Sequence, residues 1–509
     1  RDLRMSRGLG DVYKRQVSKK GVTLTVSFMG YTPKDVVVKD KTMNITLEEN
    51  SKLLDEVVVV GYGTMKKRDV TGAITSISSE AIEQKMATNV FEALQGTTAG
   101  VQVVSGSGQP GESSSIKIRG TSTFSAEGVT PLYIVDGVPL ESIDGINTND
   151  ITSMEILKDA ASAAIYGSRG SNGVVLVSTK QGKSGKAKVA FNASFGVQTL
   201  EKKMDVLNAT EWMEFKLRWN DANYLQEAKK LGLTSASIKD DNATRLSNLG
   251  IQAGTANSYL VVFDERWFNY LGDDMRNAHT YTPNPEQLSL LDWQDEFFRN
   301  SIVQDYSLNV SGGTENTSYL FSGGYMNQAG IVTGTGYERF SFRANIESKI
   351  NKYLTIGMNM APTYIVQDGS GQANGKDSQV HQALYATPVS EPGVGYMTNV
   401  DPNPYYLWAG STSSPVYNME KNIKQNRMMR LVGNAFVRIT PFKDFRVELS
   451  ASANYYDLDG NDYKYTSTTG SWAQGEGQNS SGGHNTERKW STLSVSYTHL
   501  RAHETCADL

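Results

Sequence analysis

Cysteine is nearly absent, at one in 509 residues, and histidine is scarce at five. A single cysteine excludes a disulfide framework and any cysteine-built zinc or iron–sulfur site. No sign of charge dominates: 50 basic residues stand against 54 acidic ones, a formal net charge of −4. Without a basic excess nothing displaces the counterions of a polyanion, so no nucleic-acid partner is expected. No run of about 18 apolar residues occurs, which excludes a transmembrane helix. It does not exclude a transmembrane β-barrel, whose strands alternate apolar and polar residues and average out as soluble. The mean hydropathy of −0.41 suits such a chain. Glycine (47) and tyrosine (25) are plentiful, the composition of an aromatic-bearing β protein.

The two ends are set apart from the rest. Residues 6–16 read SRGLGDVYKRQ and residues 495–505 read VSYTHLRAHET. With suitable codons, the reverse complement of the DNA for the first, read in a shifted frame, encodes VSYTHLRAHE. One adapter-like oligonucleotide thus accounts for both ends. Residues 1–16 and 495–509 are read as adapter-derived and excluded from fold reasoning. Cys506, His499 and His503 go with them, leaving His279, His381 and His484 scattered. No metal site, cofactor or Ser/His/Asp arrangement is expected, and no enzyme. The natural chain is expected to extend beyond both ends.

Three regimes follow. Residues 17–50 are strand-rich, with VTLTVSF at 22–28, a β-branched run at 36–38 and MNITL at 43–47. They are too few for a core of their own. Residues 51–64 carry an acidic pair, Asp55 and Glu56, then Val57, Val58, Val59 and Val60, then Gly61 and Tyr62. Two readings are open for the valines: an ordinary internal strand, or a peptide with no strand beside it that adds to another protein's sheet. Residues 65–185 mix helical pieces (79–82, 89–95, 158–166) with strands (101–104, 115–119, 132–135, 154–157, 173–179).

From residue 186 the pattern is antiparallel β. Tyr306, Leu308 and Val310 alternate with Ser307, Asn309 and Ser311; Phe340, Phe342, Ala344 and Ile346 alternate with Ser341, Arg343, Asn345 and Glu347. Aromatics such as Tyr306, Tyr319, Tyr325, Phe340, Phe445 and Tyr455 sit near the row ends, as an interfacial girdle requires. A soluble β-sandwich has the same alternation. The connections favour a barrel: TENT at 314–317 and PFKD at 441–444 are short, while 200–301 and 367–427 read as long irregular loops. Gly106-x-Gly108-x-x-Gly111 matches a dinucleotide fingerprint in letters, but no phosphate-facing helix follows it. The acid pairs Asp240-Asp241 and Asp273-Asp274 read as solvated loop charge.

Residues 54–63 (LDEVVVVGYG), 116–120 (IKIRG), 131–140 (PLYIVDGVPL), 151–182 (ITSMEILKDAASAAIYGSRGSNGVVLVSTKQG) and 292–330 closely resemble TonB-dependent outer-membrane transporters of the SusC/RagA type. The resemblance implies a mainly β protein: a partial carboxypeptidase-regulatory-like β-sandwich (17–50), a TonB box and linker (51–64), an α/β plug domain (65–185), and the N-terminal part of a truncated antiparallel transmembrane β-barrel with long extracellular loops (186–494). It makes Asp55–Tyr62 the TonB box. It makes Arg119, Gly120, Asp136, Gly137, Lys158, Asp159, Tyr166, Gly167, Arg169 and Gly170 the plug signature, whose charges are expected to form ion pairs that hold the plug in a polar lumen. The implied partners are a TonB-type periplasmic coupling protein, a SusD-like surface lipoprotein, outer-membrane lipid, and an oligosaccharide or peptide substrate. A ligand-sensing signalling receptor and a soluble β-rich adhesin are the alternatives. Trp212, Trp219, Trp267, Tyr405, Tyr406 and Trp408 are candidates to stack on sugar rings or simply to pack the loops.

Overall fold

The computed structural model describes residues 23–26, 34–37, 57–60 and 63–66. From 74 it describes the chain to 500, except 80–81, 83–89, 95, 97, 105–107, 113, 119, 121–129, 268–287, 370–378, 391–421, 443–444 and 465–480. The chain divides into two compact units, Arg1–Ile74 and Thr75–Leu509.

In the first unit, β1 (Thr23–Val26) and β2 (Lys34–Val37) form an antiparallel pair. The run 43–47 lies outside the described residues. A second pair joins β3 (Val57–Val60) to β4 (Gly63–Lys66), in register from Val57↔Lys66 to Val60↔Gly63. The four valines therefore do have a strand beside them, which departs from the second of the two readings, a peptide with no strand beside it.

The second unit begins with a small α/β assembly. Its five-stranded sheet has the order β5 (Ile74–Ser78), β10 (Ile151–Leu157), β11 (Val174–Thr179), β8 (Leu132–Val135), β9 (Val138–Leu140). β11 runs parallel to β8 and antiparallel to β10. β6 (Val101–Val104) and β7 (Ser115–Ile118) form a separate pair. β8 is buried along its whole length, which fits its unbroken apolar run LYIV. One hydrophobic core joins Phe91 and Leu94 of helix Val90–Leu94 to Tyr133, Val135, Met154, Ile156, Val175 and Val177 of the strands. The β8–β9 turn is closed by Asp136 and Gly137, both in the left-handed region at φ 47° and 85°. Two successive positive φ values define the type I′ turn that suits a two-residue hairpin, for which Asp-Gly is a preferred sequence. Sequence reading placed β10 from 154, whereas it starts at Ile151, and it did not find β5 or β9.

The remainder is built on one eight-stranded antiparallel sheet, in the order β12 (Gly185–Gln198), β14 (Ser301–Gly313), β15 (Thr317–Ala329), β16 (Gly336–Lys349), β17 (Leu354–Asp368), β19 (Asn422–Phe442), β20 (Phe445–Lys464), β21 (Ser481–Leu500). β13 (Ser289–Leu290) and β18 (Val389–Ser390) pair with each other in the loops. The polarity of this sheet is reversed relative to a soluble protein. Phe191, Phe195, Leu308, Phe340, Phe342 and Met358 are exposed, while Ser307, Asn309, Ser322, Arg339 and Arg343 are buried. Ring pairs run along the outer face, Tyr306 stacking on Tyr325 at 6.4 Å and Tyr325 meeting Phe340 at 4.8 Å. Apolar groups outward and polar groups inward is the arrangement a lipid environment selects. Short turns lie at one end. Thr314 N donates to Thr317 O at 2.7 Å, and the Asn351 side chain accepts from Tyr353 N at 2.8 Å and Leu354 N at 2.9 Å.

The connection between β12 and β14 departs from the expected irregular loop. Helix Ala209–Lys230 occupies much of it, started by a capping box between Asn208 and Glu211. Met213, Leu217, Asn220, Tyr224 and Ala228 recur at helical spacing and are buried. A second helix, Asn242–Leu249, is capped by Asp241. Met213 and Leu217 pack with Phe263, Trp267, Leu288 and Val389 in a core of their own. Arg245, fully enclosed, ties this module together. It donates to Asp221 Oδ1 at 2.5 Å and to the carbonyls of Ile238, Asp240 and Val261 at 2.8–2.9 Å. Asp240 and Asp241 are thus structural: the first accepts from Tyr224 OH at 2.5 Å, the second from Thr244 N at 2.7 Å.

β21 runs through residues 495–500, which the sequence reading set aside as adapter-derived, and pairs them with Phe445–Ser450. VSYTHL alternates well enough to satisfy the edge of β20, since a strand edge accepts any extended main chain.

Candidate functional site

The α/β assembly sits against the inner face of the strand wall, through many polar contacts and some apolar ones: Val432 packs on its core, and Tyr337 and Ile365 lie close to Gly111 and Gly145. At the tip of the β8–β9 hairpin, the Asp136 carboxylate accepts from Thr179 N at 2.9 Å and Thr179 Oγ1 at 2.6 Å, both on β11. From the wall it accepts from Asn359 Nδ2 at 2.7 Å and from the Arg343 guanidinium. The ion pair is nearly dry, with the Asp136 and Arg343 side chains 11% and 3% exposed.

Residues 142–150 carry the next group of contacts. Arg430 of β19 donates to Ser142 O at 2.7 Å and Asp144 O at 3.0 Å. Arg339 of β16 reaches Ile146 O at 3.3 Å and Asn147 Oδ1 at 3.4 Å. Asn149 donates to Asp305 Oδ2 of β14 at 2.8 Å, and Ser322 Oγ of β15 donates to Asp150 Oδ1 at 2.8 Å. Burial pushes the Asp150 carboxyl above its usual range; the Ser322 hydrogen bond and the Arg343, Lys180 and Arg339 charges oppose this. Elsewhere Gly182 N donates to Asn345 Oδ1 at 3.2 Å, and Gln367 Nε2 donates to Pro110 O at 2.9 Å.

Gly111, from the fingerprint-like run, has φ +71°, and a Cβ there would lie 2.0 Å from the Tyr337 ring. Its absence of side chain serves close approach to the wall and not a phosphate. A cavity of about 40 Å³ lies within the seat, lined among others by Arg343, Asn359 and Asn434. Arg343 Nε, Asn359 Oδ1 and Asn434 Oδ1 have no hydrogen-bond partner among the described residues. The polar part of such a seat is held by hydrogen bonds that water can replace when the assembly and the wall separate.

The sequence-derived residues divide. Asp136 and Gly137 lie at the wall. Lys158 Nζ donates to Ala99 O at 2.6 Å, and Asp159 accepts from Ser162 N at 2.6 Å as the cap of helix Ala160–Ala163, so both serve the fold of the α/β assembly. Tyr166, Gly167, Arg169 and Gly170 lie in the turn Ala164–Gly170 that follows. Arg169 is exposed and lines a cavity of about 590 Å³ with Glu141, Asp144 and Arg430. Gly120 is exposed; Arg119 lies outside the described residues, as do Asp55, Glu56, Gly61 and Tyr62. Sequence reading missed the wall arginines Arg339, Arg343 and Arg430. Their signal was present: each is a buried cation on the polar side of a row whose other side is apolar.

Residues 66–174 match the family model described as TonB-dependent Receptor Plug Domain. The chain is 36% identical over 354 residues to TonB-dependent receptor P39 of Formosa agariphila, covering 69% of this chain and 29% of that protein. It is 33% identical over 339 residues to TonB-dependent receptor SusC of Bacteroides thetaiotaomicron, covering 65% of this chain and 28% of SusC. The chain belongs to the SusC/RagA type of TonB-dependent receptors. Its strands superpose on a solved structure of the RagAB peptide importer in the open-open state with a TM-score of 0.60, at 26% identity, over 80% of this chain and 43% of that one. It therefore spans well under half the length of these relatives. TonB-dependent receptors are outer-membrane β-barrels filled by a plug, which accounts for both the reversed polarity of the wall and the polar seat. In this SusC/RagA-type chain the matched plug segment reaches β11, and the wall begins at Gly185. No helix among the described residues is long and apolar enough to cross a membrane, and none of these residues cluster as a metal site.

Proposed function

We propose that the complete protein imports a large nutrient across the bacterial outer membrane, with TonB coupling, and that residues 55–62 are the segment the coupling protein grips. The observation that carries this reading is the seat itself. A plug seated on the wall by a buried ion pair and a set of hydrogen bonds is stable at rest, yet those polar contacts can be exchanged for water when it is displaced. β3 offers its outer edge for strand addition, the mode by which an extended segment is gripped through main-chain bonds. Because β3 pairs with β4 and with no other strand among the described residues, a coupling protein either adds to its other edge or displaces β4. A two-stranded pair is only marginally stable, so displacement is inexpensive.

A SusD-like surface lipoprotein closing over the long-loop end is the partner this type implies, and the folded module on the β12–β14 connection gives it a rigid platform. Oligosaccharide is the substrate expected from the resemblance, while the RagAB neighbour is a peptide importer. Deleting residues 55–62 from the complete protein is expected to abolish energised uptake and to spare substrate binding. Undiminished uptake would overturn the coupling assignment.

A further inference from the structure

Aromatic rings of the loops are engaged within the loops. Trp212 meets Trp267 edge-on at 5.5 Å, and Trp219 lies under the Lys216 ammonium at 4.1 Å. Tyr405, Tyr406 and Trp408 lie outside the described residues. On the wall the rings face out instead: Phe191, Phe340, Phe342 and Tyr364 are exposed, and Leu308 with them. Among these side chains a groove of about 660 Å³ crosses the outer face from β12 to β19.

A glycine makes the groove. The strand register sets two neighbouring rows of outward residues. One runs Tyr306, Tyr325, Phe340, Tyr364, Met429; the other runs Phe191, Leu308, Gly323, Phe342. The second row has no side chain at Gly323, between Leu308 and Phe342. No described atom lies within 4 Å of the place a Gly323 Cβ would take, and its backbone is ordinary extended strand. Neither a turn nor a close approach requires glycine there. Gly324 differs: it faces inward, where a Cβ would strike the Asn147 side chain of the plug.

The flanks are rigid and their depth is fixed. Tyr306 stacks on Tyr325 at 6.4 Å, and Tyr325 meets Phe340 at 4.8 Å, so the ring row stands before anything binds. The Tyr306 and Tyr325 hydroxyls reach Gln304 and Glu338 at 3.4 Å, and Glu338 also accepts from Asn327 at 2.6 Å. Polar groups therefore begin one pleat nearer the long loops, which makes the tyrosine row the aromatic belt on that side. Long loops lie outside the cell and short turns in the periplasm. The groove thus opens into the hydrocarbon of the outer leaflet, just beneath the headgroups.

We propose that this groove is a binding site for one acyl chain of the outer-leaflet glycolipid, lipid A. Lipid covers this face, and water in the groove would find few polar partners. All lipid tails are equally apolar, so contact area, and not the hydrophobic effect, singles out a site. A chain in the groove touches rings on one flank and Leu308 and Phe342 on the other, and gains dispersion contacts that a chain on the flat wall lacks. A second copy of the chain, placed by a two-fold axis through this point, would set hollow against hollow. The site goes beyond the import reading and is independent of which nutrient passes.

The test uses the complete transporter in nanodiscs of equal parts lipid A and phosphatidylethanolamine, released into mild detergent and weighed by native mass spectrometry. One lipid A per transporter is expected to stay bound. Gly323→Leu fills the groove without a clash and is expected to cut retention about tenfold, the loss of about ten carbon contacts. Phe342→Ala removes one flank and is expected to lower retention as well. Ile356→Ala, on the same face outside the groove, is expected to leave it unchanged. Heat-modifiable migration shows that each variant's barrel is folded. Phosphatidylethanolamine retained in place of lipid A, retention indifferent to Gly323→Leu, no retained lipid, or a dimer that Gly323→Leu dissociates would each overturn the proposal. Failure of the import reading looks different: lipid A would be retained, and deleting residues 55–62 would leave uptake unaltered.

Discussion

Asp136 of the plug hairpin and Arg343 of the wall form an ion pair whose partners are 11% and 3% exposed. Removing one member leaves the other charge buried and unpaired, which costs about 3–5 kcal/mol. Arg343→Met in the complete protein is therefore expected to loosen the plug. Hydrogen exchange should quicken in β8, β9 and β11 and stay unchanged in β14–β17. Equal loss of protection in plug and wall would show that the pair supports the barrel instead. Asp136→Asn separates charge from geometry, because asparagine tolerates the left-handed φ of 47°. It should keep the turn and lose only the ion pair.

The same turn makes a prediction about its glycine. Gly137 at φ 85° has open space around its Cα, so a side chain there meets backbone strain and no clash. Gly137→Ala is expected to cost about 1–2 kcal/mol, the penalty of a left-handed conformation for a residue with a Cβ, read as a lower denaturant midpoint for the plug.

Asp150 gives the pH dependence. Its carboxyl is raised by burial in the folded plug, so the folded state holds the proton more tightly than the unfolded one. The contribution to stability is fully present below about pH 4, the unfolded value, and is lost as the pH rises through the folded value. Asp150→Asn preserves an acceptor for Ser322 and removes the buried charge. It is expected to raise the melting temperature at pH 7 by roughly 2–4 °C and to flatten the profile above pH 4. A melting temperature that falls at pH 7 would show that the nearby arginines outweigh desolvation.

Arg245 holds the outer module through four hydrogen bonds, three to main-chain carbonyls and one to the Asp221 carboxylate. Arg245→Met strands a buried acid and three carbonyls, so the module at 209–267 should become protease-sensitive while the strands remain protected. Arg245→Lys should rescue little, because an ammonium cannot span the guanidinium's fork of partners.

How far these features could be read in advance differs from one to the next. The wall was legible because its alternation is repeated strand after strand, and Phe340 and Phe342 face outward as the pattern requires. Asp136 and Gly137 were legible as a motif, but the motif does not say that the carboxylate crosses to Arg343, 207 residues away. Such a pairing depends on how the plug is seated, which no local spacing encodes. The outer module was overlooked for a different reason. Asn208 and Glu211 at capping-box spacing, followed by Met213, Leu217, Asn220 and Tyr224, are helix signals in plain view. They were outweighed by the expectation that barrel loops are irregular. The valine run stayed open between a paired strand and an unpaired peptide because its partner, Gly63–Lys66, has no apolar pattern to announce a strand.

The central claim is that the plug must leave its seat on the wall for transport to occur. Asn149 and Asp305 approach within 2.8 Å across that seat, and the chain's one cysteine, Cys506, lies far along the sequence in the tail. The complete protein carrying Asn149→Cys and Asp305→Cys should be joined plug to wall by a short bis-methanethiosulfonate reagent, which bridges the gap that the shorter cysteine side chains leave and is released by reduction. Energised uptake in cells should then fall to background while substrate binding persists, and a reductant should restore uptake. Full uptake with the cross-link intact would contradict the account.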